Sequence, residues 1–182
     1  MEDILFPVDD NRSHQNTFEQ VFLYINQIIN PRGLLLVENT PNATTMMGYD
    51  DTYTVDLQNI QGEILGSCTV VIEEFSIDDE DPKTVLFVDY TSTNVKGLGL
   101  SRIFVLFEVC FAILLNAPVV SNDVSGIVGR YSRYGFEQIN SDLVYEQDDE
   151  DEDETTINNI LTVDRLQNAR AILEQKIENM FS

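Results

Sequence analysis

The stretch TVLFVDYTSTNVKGLGLSRIFVLFEVCFAILLNAPVVSNDVSGIVGRYSRYGF (84–136) decides how the rest of the chain is read. TVLFVDYT (84–91) is a β-rich run, and NVKGLG (94–99) turns it directly into a helix that continues to about Asn116. That helix has almost no polar face, which predicts a buried one. APVVSN (117–122) reads as a short buried strand, and Val124 to Tyr134 as a short helix stopped by Gly135. The turn has the makings of an anion site. Glycines let the backbone approach a ligand, and the first-turn N–H groups of a helix lack intrahelical partners. A pyrophosphate is the ligand expected of such a turn, although a tight turn with no ligand has the same letters.

Working outward, Ser13 to Asn30 carries Phe18, Val21, Phe22, Ile25, Ile28 and Ile29 on one helical stripe, closed by Pro31 and Gly33. GLLLVENT (33–40), YTVDLQN (53–59) and EILGSCTVVIEEFSI (63–77) read as strands. LVYEQ (143–147) and TTINNILTV (155–163) predict the arms of a hairpin. Asp164 with Gln167 forms a capping-box pattern for a last helix to about Met180. There is no internal repeat. The order predicts a mixed α/β (α+β) fold rather than a doubly wound parallel sheet, with one domain over 1–163 and a helix, 164–182, packed on it. That helix has Leu166, Ala169, Ile172, Leu173, Ile177 and Met180 on one stripe, suited to docking on its own sheet or to a homodimer.

Composition removes several classes of function. The chain has 182 residues, 43% of them hydrophobic, with 10 basic against 32 acidic side chains and a formal net charge of −22. That apolar content suits a packed core and not an acidic disordered chain. The longest apolar run, Ile103 to Leu115, is too short to span a bilayer and carries Glu108. MEDILFPVDD has no basic leader region, so a cytoplasmic protein with no membrane partner is expected. One histidine, His14, and two distant cysteines, Cys68 and Cys110, predict no metal site. Both cysteines lie in apolar stretches and read as core residues, and His14 reads as a surface residue. So few basic residues argue against direct nucleic-acid binding. Between Asn94 and Phe136, however, Lys96, Arg102, Arg130 and Arg133 face only Glu108 and Asp123, a net +2 that leaves −24 for the rest. Positive charge concentrated beside the glycine turn points to an anionic ligand there.

At NVKGLG and RYSRYGF (130–136) the segment resembles the GCN5-related N-acetyltransferase (GNAT) family. Gly97 and Gly99 fall on the two glycines of that family's pyrophosphate loop, with Lys96 at its commonly basic place. Tyr131, Gly135 and Phe136 fall on the family's later aromatic pattern, and GEILGSCTVVIEE (62–74) looks like its second and third strands. Asn94 stands where the family prefers Arg or Gln, and Val95 where a small residue is common. The resemblance implies a GNAT-like central mixed sheet flanked by helices. It also implies acetyl-CoA as co-substrate, bound by Asp89, Tyr90, Thr91, Asn94, Val95, Lys96, Gly97, Leu98, Gly99, Leu100 and Asn122. A substrate amine then attacks the thioester directly, and Tyr131 is the implied acid for the departing thiolate. Glu73, Asp89 and Asp123 are candidates for a general base, and the sequence singles out none.

The acidic runs at 73–74, 78–81 and 148–154 admit three readings: solvated loops, steering of a cationic substrate, or imitation of nucleic acid toward a basic protein partner. Two functions follow. One is an N-acetyltransferase acting on a cationic amine such as a polyamine, basic peptide or aminoglycoside. The other is an inactive GNAT-fold protein that binds a basic partner through its acidic surface.

Overall fold

A computed structural model describes residues 13–39, 51–75, 81, 83–121, 132–145 and 155–182. The first helix, α1 (His14–Ile29), starts at Ser13, whose extended backbone lets its hydroxyl accept from the Asn16 N–H. Its apolar stripe buries Phe18, Val21, Ile25 and Ile29. Buried Asn26 ties α1 to the first strand: its amide donates to the Leu36 carbonyl at 3.1 Å and accepts from the Leu36 N–H at 2.7 Å. Gly33, at φ 76°, ends the turn that follows and releases the chain into that strand.

Seven strands form one sheet in the order β1-β2-β3-β4-β5-β7-β6. They are β1 (Leu34–Glu38), β2 (Thr52–Asn59), β3 (Ile64–Phe75), β4 (Lys83–Thr93), β5 (Val119–Ser121), β6 (Glu137–Tyr145) and β7 (Thr155–Leu161). Every neighbouring pair is antiparallel except β4 and β5, which run parallel. A parallel pair needs a long crossover. That crossover is α2 (Ser101–Leu115), buried from Ile103 through Ala112. The mixed α/β class and the central mixed sheet flanked by helices are as the sequence predicts.

One core joins the helices to alternate strand residues. Phe18 of α1 stacks on Tyr53 at 4.9 Å between ring centroids and meets Phe107 and Phe111 of α2. Val55 and Leu57 of β2, Cys68, Val70 and Ile72 of β3, Leu86 and Val88 of β4, and Val119 of β5 share this core. The final helix, α3 (Leu166–Met180), adds Leu166, Ala169, Leu173 and Ile177 against α2. On its flank Tyr24 of α1 donates to Glu174, which also accepts from Arg170 at 2.8 Å. Among the described residues no helix is long and apolar enough to cross a membrane.

Two local expectations are corrected. No side chain caps α3; a 3-10 turn, Val163–Arg165, leads into it, and Arg165 is already in the helical region. Asp164 therefore lies inside a turn and not at the extended position from which a cap reaches forward. β6 also begins at Glu137, before the expected arm at 143. Its pairing with β7 jumps from Gln138 to Leu143, so the polar letters between them pass through an irregularity in the ladder.

Candidate functional site

Among the described residues, the β4–β5 ladder runs from Leu86–Val119 to Val88–Ser121, and β4 continues beyond it to Thr93. On the other side β3 stays paired, but its register slips: Thr69 faces Tyr90 and Val70 faces Val88. Asp89 is thus the extra residue of a β-bulge, a feature that bends a strand and re-aims its side chains. Asp89 and Tyr90 are exposed, and the Tyr90 hydroxyl donates to Ser92 Oγ at 2.8 Å. Nearby Glu73 is half-buried; burial first, then the Asp89 charge, raises its pKa.

Beyond Thr93 the chain is pinned by Asn94. Its N–H donates to the Leu65 carbonyl at 2.7 Å and its side-chain amide to the Ile64 carbonyl at 3.0 Å. Val95, Lys96 and Leu98 are exposed, whereas Leu100 is buried and anchors the far end. Gly97 and Gly99 take φ of 85° and 69°. A Cβ on Gly97 would meet nothing within 4 Å, so its backbone faces open space. One on Gly99 would come within 3.0 Å of the Arg102 guanidinium, which folds back over the turn. No side chain caps α2, and its first turn carries no acidic residue. An open glycine turn, an uncapped helix head, Lys96 and Arg102 together suit a pyrophosphate. These residues fit the phosphate end of a coenzyme, and the length of β4 beyond Val88, which among the described residues pairs only with β3, fits an extended arm that adds along a strand edge.

Beneath that edge lies a polar contact the sequence did not assign to the site. Thr91 donates to Glu108 Oε1 of α2 at 3.3 Å and approaches Cys68 Sγ at 3.5 Å; the Cys68 thiol lies 3.6 Å from the same oxygen. Glu108 is fully buried, and its Oε2 has no hydrogen-bond partner among the described residues. Burial pushes its pKa up to about 8 against the lowering effect of both hydrogen bonds. The signal for this group was present, since Glu108 is the one charged residue inside the apolar run 103–115. Its partners on β3 and β4 were not visible there.

The structure brings Asp89, Tyr90, Thr91 and the 94–100 turn to one end of the sheet. Tyr131, Asn122, Asp123 and Arg130 lie outside the described residues, as do the acidic runs at 78–80 and 148–154. Tyr134 and Phe136 are buried packing residues, and Arg133 is exposed. Cys68 and Cys110 are free and buried. His14 heads α1 with its Nδ1 2.9 Å from Asp51. Among the described residues no His, Cys, Asp and Glu cluster is arranged to hold a metal.

No protein-family model and no curated protein matches this sequence. Solved structures do resemble it. One is a spermidine N-acetyltransferase SpeG chimera from Vibrio cholerae and hSSAT, at 13% identity and a TM-score of 0.49, covering 75% of this chain and 99% of that one. Another is a mutant spermidine/spermine N-acetyltransferase SpeG from Vibrio cholerae, at 12% identity and a TM-score of 0.47, covering 86% and 94%. Both are named as N-acetyltransferases.

Proposed function

We propose that the chain is an acyl-CoA-dependent N-acetyltransferase that moves an acetyl group to a primary amine of a cationic substrate of polyamine, basic-peptide or aminoglycoside type. One observation carries the reading: β4 runs beyond its last described pair with β5, Val88–Ser121, into a two-glycine turn at the uncapped head of a buried helix. Residues 94–100 would hold the pyrophosphate through backbone N–H groups and Lys96, and the edge of β4 at Asp89 to Thr91 would receive the pantetheine arm. The family resemblance adds Asn122 to the coenzyme-binding residues. Bound acetyl-CoA supplies the thioester. The acidic edge at Glu73 and Asp89 draws a cationic amine toward the bulge. As the neutral amine bonds to the thioester carbonyl carbon, the carbon–sulfur bond breaks, the nitrogen gives up a proton to water and the sulfur takes one; a thiol of pKa about 8.5 is matched to a phenol donor. Tyr131 is that donor in this reading.

Tyr131→Phe tests the assignment, because it removes one hydroxyl and keeps the ring. Thiol release from acetyl-CoA with a panel of polyamines and basic peptides should fall by roughly 10²–10⁴-fold. Coenzyme affinity should change by less than about 1 kcal/mol, since the hydroxyl acts in the transition state. An unaltered rate removes Tyr131 from the mechanism. The second reading, an inactive fold that binds a basic partner, is favoured by Asn94, whose amide is committed to the Ile64 carbonyl and not to a ligand. Coenzyme binding with no thiol release by the parent protein, whatever the amine, would decide for it.

A further inference from the structure

Glu108 occupies a costly position. A carboxyl at 0% exposure on an apolar helix forfeits hydration, and only one of its oxygens recovers hydrogen bonds. One of those bonds comes from Cys68 and the other from Thr91, which lies on β4 beyond its pairing with β5 among the described residues, where the coenzyme arm is placed above. Thr91 is part-buried, so the residue meets both the interior, through Glu108 and Cys68, and the surface. It has a single proton to donate.

The direction of that donation depends on the carboxyl. An ionised carboxylate only accepts, so it draws the Thr91 proton inward. A neutral carboxyl has its own O–H, can donate to Thr91 Oγ, and leaves the threonine proton free to point toward the surface. An acyl-CoA arm presents amide carbonyls to a strand edge, and these need donors. We propose that the Glu108 carboxyl decides which way the Thr91 hydroxyl donates, and thereby couples binding of the acyl-CoA arm to proton uptake inside α2. The proposal rests on the acyl-CoA reading of the site. Glu108 is a positioning residue in it, since it acts on the ligand only through Thr91.

The surroundings leave the carboxyl free to play this part. β3 faces it with the Cys68 thiol, itself raised well above its ordinary pKa by burial and by the Glu108 charge. β4 faces it with Thr91. On α3, Arg170 and Glu174 act on Cys110 of α2, and they bond to each other and to Tyr24 of α1. Burial is the largest influence on Glu108, and the two hydrogen bonds are the others. With its pKa at about 8, the carboxyl is neutral at pH 7 and ionised at pH 9.5.

Calorimetric titration of the full chain with acetyl-CoA across pH 7 to 9.5 is the test. For the parent, affinity should fall roughly three- to tenfold over this range, the worth of one ligand hydrogen bond. Near pH 8 the binding enthalpy should vary with the ionisation enthalpy of the buffer, which reports proton uptake. Glu108→Gln always offers an N–H to Thr91, so its affinity should be flat with pH and its enthalpy independent of buffer. Thr91→Val, a second and less buried change, should give weaker and equally flat binding. A parent with flat affinity overturns the proposal, as does a Glu108→Gln or Thr91→Val variant that keeps the parent's pH dependence. No acetyl-CoA binding by the parent at any pH would instead overturn the acyl-CoA reading, and this inference with it.

Discussion

Lys96 stands exposed on the 94–99 turn, where a charge has water on most sides and contributes little to folding. Its value lies in the local field, because the chain outside residues 94–136 carries a net −24. Lys96→Glu should therefore weaken CoA binding markedly in a calorimetric titration while the melting temperature stays nearly unchanged. Gly97→Ala separates conformation from contact at the same turn. The added methyl meets nothing, but φ 85° disfavours any Cβ, so stability should drop by about 1 kcal/mol in denaturant unfolding. Both residues are legible in the sequence, since glycine and charge announce themselves by type. The role of Asn94 is not. Its partners, the carbonyls of Ile64 and Leu65, are 30 and 29 positions away, and only the β3–β4 pairing brings them to it.

At the scale of elements, α2 carries its own pH dependence. The Glu108 pKa is raised on folding from an ordinary value near 4.5 to about 8, so the folded state holds the proton more tightly than the unfolded one. Its contribution is fully present below about pH 4.5, is lost progressively as pH rises to about 8, and changes no further above that. Glu108→Gln should remove this slope, so that the melting temperatures of variant and parent converge at low pH and separate above neutrality in the variant's favour. β3 offers a steric test. A Cβ on Gly66 would lie 2.4 Å from the Ser92 carbonyl oxygen and 3.0 Å from the Phe104 ring. Gly66→Ala should thus force β4 away from β3 and destabilise the fold by roughly 1–3 kcal/mol, read from urea unfolding. The strongly periodic elements, α1 and the strands β2 to β4, could be read from the sequence because burial imposes its own spacing on them. The start of β6 could not. Glu137, Gln138 and Asn140 have the composition of a loop, and pairing with β7 is a tertiary fact that overrides that preference. Asp164 misled for the opposite reason: a local capping pattern was present, but the chain turned before reaching the helix.

Across the whole molecule, charge opposes compactness. With 32 acidic side chains against 10 basic ones, self-repulsion should be relieved as the Debye length shrinks from about 30 Å at 0.01 M salt to about 8 Å at 0.15 M. The melting temperature should rise with sodium chloride over that range; a constant value would mean that the acidic surface is already neutralised by its own geometry. The sheet itself is two antiparallel blocks, β1 to β4 and β5, β7 and β6, joined by three residue pairs between β4 and β5. Among the described residues α2 is the element that packs on both strands of that seam. So short a ladder is the natural place for the native protein to breathe, and its amides should exchange with deuterium sooner than those of the long β3–β4 ladder. A molecule lodged along β4 beyond Val88 would add rungs to that seam. Its arrival would then be recorded as slowed exchange on both blocks together, far from any atom it touches.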